Sequence, residues 1–140
     1  MADCAFCRIV ADGQELILRT EDVAAFLDHR PVFPGHVLIV PVEHVPTLAQ
    51  LPRELMVPML ATAQVFLAAL REVVGAQGTF VAMNNVVSQS VGHLHLHVVP
   101  RVRGDGLRGF FWPRHPYRDV DERHAMRDRL REAVQAQPSI

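Results

Sequence analysis

Short segments in which apolar residues alternate with polar ones, or run together, recur along the chain and predict β-strands. These segments cover residues 15–19, 23–27, 36–40, 79–84 and 93–101. Breaks rich in proline, glycine or acidic residues separate them, and such breaks are typical of turns and loops.

Helical spacing marks the other segments. From residue 52 to about 74, apolar residues lie three and four positions apart, and Gly75 follows as a stop. Pro58 fits this helix only near its first turn. The two remaining helical segments are residues 4–11 and a final helix that begins at Asp119 or Asp121 and ends near Ala136. Strands and helices together predict an α+β fold, an antiparallel sheet with flanking helices.

The last predicted strand is unusual because three histidines alternate with apolar residues along it. In His93-Leu94-His95-Leu96-His97 the imidazoles point to one side of the strand and the leucines to the other. The near-neutral pKa of histidine suits nucleophilic and acid–base chemistry, or metal binding. One metal on all three rings is disfavoured, because the outer pair lies about 13 Å apart on a straight strand. The alternative that the three imidazoles only cover a surface, without a function, stays open. A site in which one imidazole attacks and its neighbours orient groups or move protons fits the geometry better.

Composition narrows the class of protein. With 140 residues, 49% of them hydrophobic and 21% charged, we expect one soluble globular domain over residues 1–140. The net charge of −1 argues against general nucleic-acid binding. No basic region followed by an apolar one opens the chain, and the uncharged run between Glu54 and Arg71 is shorter than a bilayer span. With two cysteines, these features predict a cytoplasmic protein without a membrane partner.

The histidine row and its surroundings resemble the histidine triad (HIT) superfamily of nucleotidyl hydrolases and transferases. The family pattern His-φ-His-φ-His-φ-φ, where φ is apolar, matches residues 93–99. Other matching segments are residues 28–41, similar to the family's first nucleotide-binding strand pair, residues 42–48, the pair Asn84-Asn85 and the run Gln89-Ser90-Val91. The similarity runs in order over about residues 4–101, which leaves residues 102–140 as an arginine-rich and aromatic loop and a C-terminal helix.

The resemblance implies a role for each matching residue. His95 is the family nucleophile, which attacks the α-phosphorus of a purine nucleotide and forms a covalent nucleotidyl-imidazole. His97 hydrogen-bonds near the phosphate and helps proton transfer, and His93 completes the catalytic row. Asp28 binds the ribose hydroxyls and His36 lies behind the triad. The neutral donors to phosphate oxygens are Asn84, Gln89 and Ser90.

Cys4 and Cys7 have the CxxC spacing, which serves a zinc site, a redox disulfide or neither. A redox motif follows a strand, and only three residues precede Cys4. In zinc-containing members of the resembled family the ligands are such a CxxC, a histidine placed like His44, and the first triad histidine. The resemblance therefore implies a structural zinc on Cys4, Cys7, His44 and His93, with His93 a ligand rather than a proton carrier.

Two segments depart from the family pattern. The loop at residues 84–89 is two residues shorter than the generic Asn-Asn-Gly-x-x-Ala-Gly-Gln and has no glycine, which alters the contacts expected of Asn84, Asn85 and Ser88. Residues 104–118 interleave arginines with an aromatic stretch. This segment predicts either a cover over the site, with Arg108 or Arg114 on phosphates and Trp112 on a base, or an aromatic core or dimer contact.

The resemblance also implies a homodimer whose sheets join, and two competing activities. Hydrolysis of dinucleoside polyphosphates is preferred, on the Pro100-Arg101 ending and the arginines that follow. Cleavage of a nucleoside phosphoramidate is the alternative, supported by the possible zinc and by Ser90. A protein that binds or senses nucleotides with little turnover is a third hypothesis, and a metal-dependent hydrolase is the last.

Overall fold

A computed structural model describes residues 3–108 and 114–138 of the chain. The chain divides into two compact units, Met1–Leu107 and Arg108–Ile140. The expected cover over the site includes Gly109, Phe110, Phe111, Trp112 and Pro113, and these five lie outside the described residues. Its role, and the expectation of one domain over the whole chain, stay predictions.

The first unit contains a five-stranded sheet with helices on both faces. Its elements are α1 (Ala5–Asp12), β1 (Leu16–Arg19), β2 (Val23–Leu27), β3 (Val37–Pro41), the 3₁₀ turns Leu48–Gln50 and Arg53–Leu55, α2 (Met56–Val74), β4 (Gly78–Ala82) and β5 (Leu96–Arg101). The strand order is β1-β2-β3-β5-β4, and every pair is antiparallel. This architecture confirms the predicted α+β class.

The two faces of the sheet carry different cores. On one face α2 packs through Met59, Phe66 and Leu70. On the other face the short helix α1 packs through Phe6 and Val10. Strands β2 and β3 are thus covered on both sides, which explains their nearly unbroken apolar sequences.

Helix α2 ends and begins as its sequence indicates. Pro58 is its third residue, within the first turn, where no helical hydrogen bond is lost. Gly75 caps the other end in a left-handed conformation. The 22-residue helix Arg53–Val74 contains an 18-residue window with a mean hydropathy of 1.5, so by length and composition it could span a bilayer. The length of the uncharged run alone therefore does not exclude a span. Packing of one side on the sheet is what marks α2 as a core helix.

The second unit contains α3 (Val120–Gln135). Asp119 is the N-cap, and its carboxylate accepts a hydrogen bond from the backbone N–H of Glu122 at 2.8 Å. The helix has no buried residue among those described, so its apolar side, including Leu130 and Val134, is exposed.

The prediction that all three histidines lie on one strand is wrong. Strand β5 begins at Leu96, and His93 and His95 precede it. The backbone leaves the sheet ladder there because its polar groups have other partners. The carbonyl of His93 accepts from the ring of His95, and the N–H of Leu94 donates to the carbonyl of Val45.

Candidate active site

A cleft of about 490 Å³ opens on the face of the sheet that carries α1. Its apolar wall is formed by side chains including Phe6, Ile9, Phe26 and Leu38. Its polar end is formed by Asp28, Arg30, Ser90, His95 and His97. A wall of this kind next to convergent polar groups suits a ligand that is flat and apolar at one end and anionic at the other. A depression of about 540 Å³ beside Arg71 and Arg103 contains none of the predicted site residues.

Sheet register brings His97 into the cleft. His97 lies opposite Leu38 of β3, and residues opposite each other in an antiparallel pair point to the same face. Leu38 belongs to the core under α1, so His97 faces that side as well. The ring centroids of His95 and His97 are 4.9 Å apart, which places two imidazoles side by side at the polar end.

The ring of His95 is held in one tautomer by the backbone. Its Nδ1 lies 2.7 Å from the carbonyl oxygen of His93. A carbonyl only accepts hydrogen bonds, so Nδ1 carries the proton and, in the neutral ring, Nε2 keeps its lone pair. His95 is 2% exposed, and Phe6 packs against it edge to face with centroids 5.1 Å apart. This is the form of imidazole that attacks as a nucleophile.

His97 is held in the opposite tautomer through His36. The N–H of Val32 donates to Nδ1 of His36 at 3.1 Å, so the proton of this ring is on Nε2. That Nε2–H donates to Nδ1 of His97 at 2.9 Å, which leaves the proton of His97 on its own Nε2. Among the described residues, therefore, the lone pair on Nε2 of His95 and the N–H on Nε2 of His97 have no hydrogen-bond partner.

Asp28, His36 and His97 also lie close enough together to suggest a metal site. The hydrogen bonds argue against it. A metal on Nε2 of His36 would require both nitrogens of this ring to be unprotonated while Nδ1 still accepts from Val32. A neutral imidazole has one proton, so a hydrogen-bonded chain satisfies these groups better than a cation does.

Burial keeps this pair of rings neutral. Desolvation, with smaller contributions from His95 and His36, lowers the pKa of His97 to about 4. Desolvation also lowers the pKa of His36, although the carboxylate of Asp28 opposes it. Neutral rings at pH 7 are what the hydrogen-bond pattern requires, so the electrostatics and the geometry agree.

Four other predicted residues come together beside the cleft and form a cluster, here called the Cys/His cluster: Cys4, Cys7, His44 and His93. Nδ1 of His93 lies 3.4 Å from Sγ of Cys4 and 3.5 Å from Sγ of Cys7, and Nδ1 of His44 lies 3.4 Å from Sγ of Cys7. A tetrahedral zinc with its usual bond lengths places sulfur and nitrogen ligands roughly 3.5–3.6 Å apart. The donor set therefore fits zinc.

Each half of the Cys/His cluster is oriented by its surroundings. Cys4 caps α1, and its Sγ accepts from the N–H of Cys7 at 3.4 Å. Nε2 of His93 donates to the carbonyl of Pro41 at 2.8 Å, so the lone pair of Nδ1 is directed to the thiols. Such an outer hydrogen bond is what metal-binding histidines commonly have.

Not every predicted substrate contact lies in the cleft. Ser90 lines it, but Asn84 and Gln89 are not among its lining residues. The amide of Gln89 accepts from Val86 and donates to the carbonyl of Pro46, and the amide of Asn84 donates to the carbonyl of Ser88. The role of both amides on phosphate stays a prediction.

Arg101 is occupied elsewhere in the fold. Its guanidinium makes two hydrogen bonds to the carboxylate of Asp105, at 2.6 and 2.9 Å, and one to the carbonyl of Leu107. The hydrogen bonds from Arg101 are the main cause that lowers the pKa of Asp105 to about 2. Arg101, the first arginine cited for a polyphosphate substrate, is therefore paired within the protein. Arg30, which the sequence analysis did not single out, lines the cleft.

Phe6 is another residue that sequence reasoning missed. It lies between the two cysteines, is 8% exposed, and contacts both Phe26 and His95. The available signal was an apolar residue inside a CxxC motif on a predicted helix, but a helical pattern alone does not say what its buried side touches.

Comparison with known proteins identifies the family. The family model described as HIT domain matches residues 12–104. An uncharacterized HIT-like protein of Mycobacterium tuberculosis is 36% identical over 141 residues, with 96% of this chain and 94% of the relative covered. The chain belongs to the HIT family.

Solved structures agree with this assignment. A protein from Streptococcus mutans has a TM-score of 0.84 and 30% identity, with 96% of this chain and 87% of that one covered. A structure described as a Zn-bound histidine triad family protein from Mycobacterium smegmatis has a TM-score of 0.71 and 34% identity, with 97% and 99% covered.

Three further relatives have names that state an activity. A bis(5′-nucleosyl)-tetraphosphatase of Schizosaccharomyces pombe is 30% identical, with 66% of this chain and 52% of the relative covered. An adenosine 5′-monophosphoramidase of the same species is 29% identical, with 81% of this chain and 85% of the relative covered. An adenylylsulfatase of Arabidopsis thaliana is 30% identical, with 75% of this chain and 55% of the relative covered. The family thus includes hydrolases of nucleotide compounds, which supports a hydrolase or transferase as the general class of this chain.

The glycine-free loop holds backbone strain that mutation can test. Val86 and Ser88 have φ of 69° and 62°, in the left-handed region that a β-branched residue adopts at a cost of roughly 1–2 kcal/mol. Val86→Gly relieves that cost, whereas glycine elsewhere loses roughly 0.5–1 kcal/mol. Val87, equally exposed and not in that region, is the matched control. In urea titrations, we expect the free energy of unfolding of the Val86→Gly variant to be about 1 kcal/mol higher than that of the Val87→Gly variant. Equal values would mean that Val86 is unstrained.

The lowered pKa of His97 predicts how stability changes with pH. An unfolded histidine takes up a proton near pH 6.5, whereas folded His97 does so near pH 4. Between these values the unfolded state binds more protons, so the free energy of unfolding falls as the pH drops from 6.5 to 4, by at most about 3 kcal/mol from this group. His97→Asn should flatten the slope, and His124→Asn, on exposed α3, should not. Parallel curves for His97→Asn and wild type would contradict the assignment.

Proposed function

We propose that this chain cleaves the bond between the α-phosphorus of a nucleotide and its leaving group, with His95 as the nucleophile. The observation that carries the proposal is the hydrogen bond from Nδ1–H of His95 to the carbonyl of His93, which leaves the Nε2 lone pair for attack. The same bond stabilises the positive charge that the ring gains when Nε2 bonds to phosphorus. Water then attacks the phosphorus and loses a proton to solvent, the bond between phosphorus and Nε2 of His95 breaks, and His95 returns to its starting form.

The other residues of the cleft support the two steps. Nε2–H of His97 donates a hydrogen bond to a phosphate oxygen and stabilises the charge that develops there, while Nδ1 of this ring stays hydrogen-bonded to His36. The proton that the departing group needs comes from solvent water. Asp28 lies at the polar end, where its carboxylate is placed to accept from the ribose hydroxyls. Ser90 and Arg30 line the same end and supply donors to the phosphate oxygens.

We propose a phosphoramidate of AMP as the substrate class, which reverses the preference drawn from the sequence. The polyphosphate alternative relied on Arg101 together with the arginines that follow it, and Arg101 is bound to Asp105. The phosphoramidase relative also matches more of this chain, 81% against 66% for the tetraphosphatase.

We also propose that zinc occupies the Cys/His cluster and has a structural role. All four ligand atoms lie within 4.8 Å of one another, and their S–N separations suit a tetrahedral ion. A bound zinc stabilises the thiolates and ties α1 to the segment that carries the triad. A cytoplasmic location, where thiols stay reduced, is consistent with this site.

A homodimer is proposed from the free edge of the sheet. Strand β4 is at the end of the strand order and, within the described part of the chain, pairs only with β5. Val81 of β4 and Val57 and Leu60 of α2 are exposed apolar residues, and Leu67 of α2 lines a shallow depression together with Thr79 of β4. An unpaired edge beside apolar surface favours association with a second copy, whose sheet would continue this one. The mass in solution tests it.

The His95→Ala variant tests the function. Release of AMP would be measured from adenosine phosphoramidate and from diadenosine tetraphosphate with wild type, His95→Ala and the exposed control His124→Ala. Wild type should prefer the phosphoramidate, and His95→Ala should lose at least about a thousandfold in kcat because the covalent route is closed. His97→Ala should slow the release of AMP from both compounds, because each transition state loses the hydrogen bond from Nε2–H of His97.

The possible outcomes separate the hypotheses. Turnover that persists in His95→Ala would contradict the nucleophile, and a preference for diadenosine tetraphosphate would restore the polyphosphate hypothesis. Tight AMP binding with no His95-dependent turnover of either compound would favour a nucleotide-binding or sensing protein.

A further inference from the structure

Phe6 connects the Cys/His cluster to the nucleophile. It follows Cys4 by two positions and precedes Cys7 by one, so it lies between the two cysteines at the start of α1. Its ring meets that of His95 edge to face, with centroids 5.1 Å apart and planes at 86°. The ring of His93 is 6.1 Å away at 64°, and that of Phe26 is 5.2 Å away at 65°. Phe6 is therefore in contact with both sites.

His95 depends on the Cys/His cluster from two directions. Its Nδ1–H donates to the carbonyl of His93, whose own ring belongs to the cluster. One side of its ring packs on Phe6, whose neighbour Cys7 also belongs to the cluster. Both the hydrogen-bond partner and the packing partner of the ring are thus held by residues that would share one metal ion.

Helix α1 needs such an anchor. It has eight residues, of which Phe6 and Val10 are buried. Helices this short are marginal without tertiary contacts. Ligation of Cys4 and Cys7 at its first turn would fix the helix to His44 and His93 at the point where Phe6 meets His95.

We propose that Phe6 is a positioning residue, through which a metal ion in the Cys/His cluster holds the His95 ring in its attacking orientation. Removal of the ion or of the Phe6 ring frees the His95 ring to rotate and weakens its bond to the His93 carbonyl. Turnover then falls because fewer molecules present the Nε2 lone pair to the substrate. The kinetic consequence rests on the proposed function, whereas the orientation of the ring does not.

The test compares one substitution at two aromatic residues of the cleft wall. Phe6→Leu removes the ring that contacts His95, and Phe26→Leu removes a ring that contacts Phe6 and lines the same cleft. Nitrogen-15 NMR of the His95 ring in zinc-loaded protein should show a single Nδ1–H tautomer for wild type and Phe26→Leu, and mixed tautomers for Phe6→Leu. We expect kcat to fall roughly 10- to 100-fold in Phe6→Leu, and Phe26→Leu to act on KM.

A metal arm completes the experiment. Chelation of wild type, and separately Cys7→Ser, should reproduce the mixed tautomers of Phe6→Leu while circular dichroism shows an intact fold. If Phe6→Leu does not fold, Phe6→Met keeps the volume of the side chain and loses the ring. An unchanged His95 tautomer in the Phe6 variant or in metal-free protein would overturn the proposal, as would the absence of stoichiometric zinc. A wild type that releases no AMP would contradict the proposed function alone, since the NMR signature still decides this inference.

Discussion

Backbone groups fix where the proton sits on each buried imidazole of the site, and the chemistry of the cleft depends on those bonds. The carbonyls of His93 and Pro41 accept from the rings of His95 and His93, and the N–H of Val32 donates to His36. A carbonyl never donates and a backbone N–H never accepts, so each bond permits a single tautomer. His95 is left with the Nε2 lone pair that the proposed reaction uses, and His97 with an Nε2–H that can donate a hydrogen bond.

Because the imidazoles are buried, their hydrogen bonds are also needed for the stability of the fold. Inside the fold a charged imidazole loses its hydration, and an unpaired ring nitrogen is costly. Among the described residues no buried side-chain nitrogen or oxygen lacks a partner. Rings whose buried nitrogens all have partners are held rigidly, and rigidity suits the attack on phosphorus that we propose for His95.

The segment around the triad serves two sites that face different groups. His93 turns its Nδ1 to the cysteines, whereas His95 and His97 line the cleft. Because His93 also supplies the carbonyl that binds His95, the two sites share backbone. Departure of the chain from the sheet ladder before Leu96 makes this possible, since a carbonyl in the ladder would already be paired with a neighbouring strand.

The sequence alone determined the features that local patterns control, whereas the tertiary structure decided those that depend on distant partners. Apolar spacing, Gly75 and Asp119 set the helices, and the ordered motifs identified the family. No local pattern shows that Arg101 is paired with Asp105. The same is true of the hydrogen bond from the amide of Gln89 to the carbonyl of Pro46 and of the packing of Phe6 on His95. Nor does a local pattern give the tautomers, since His36 and His97 are 61 positions apart and meet only through the register of β3 and β5. Hydrogen-bond direction is a property of the pair, and folding is what forms the pair.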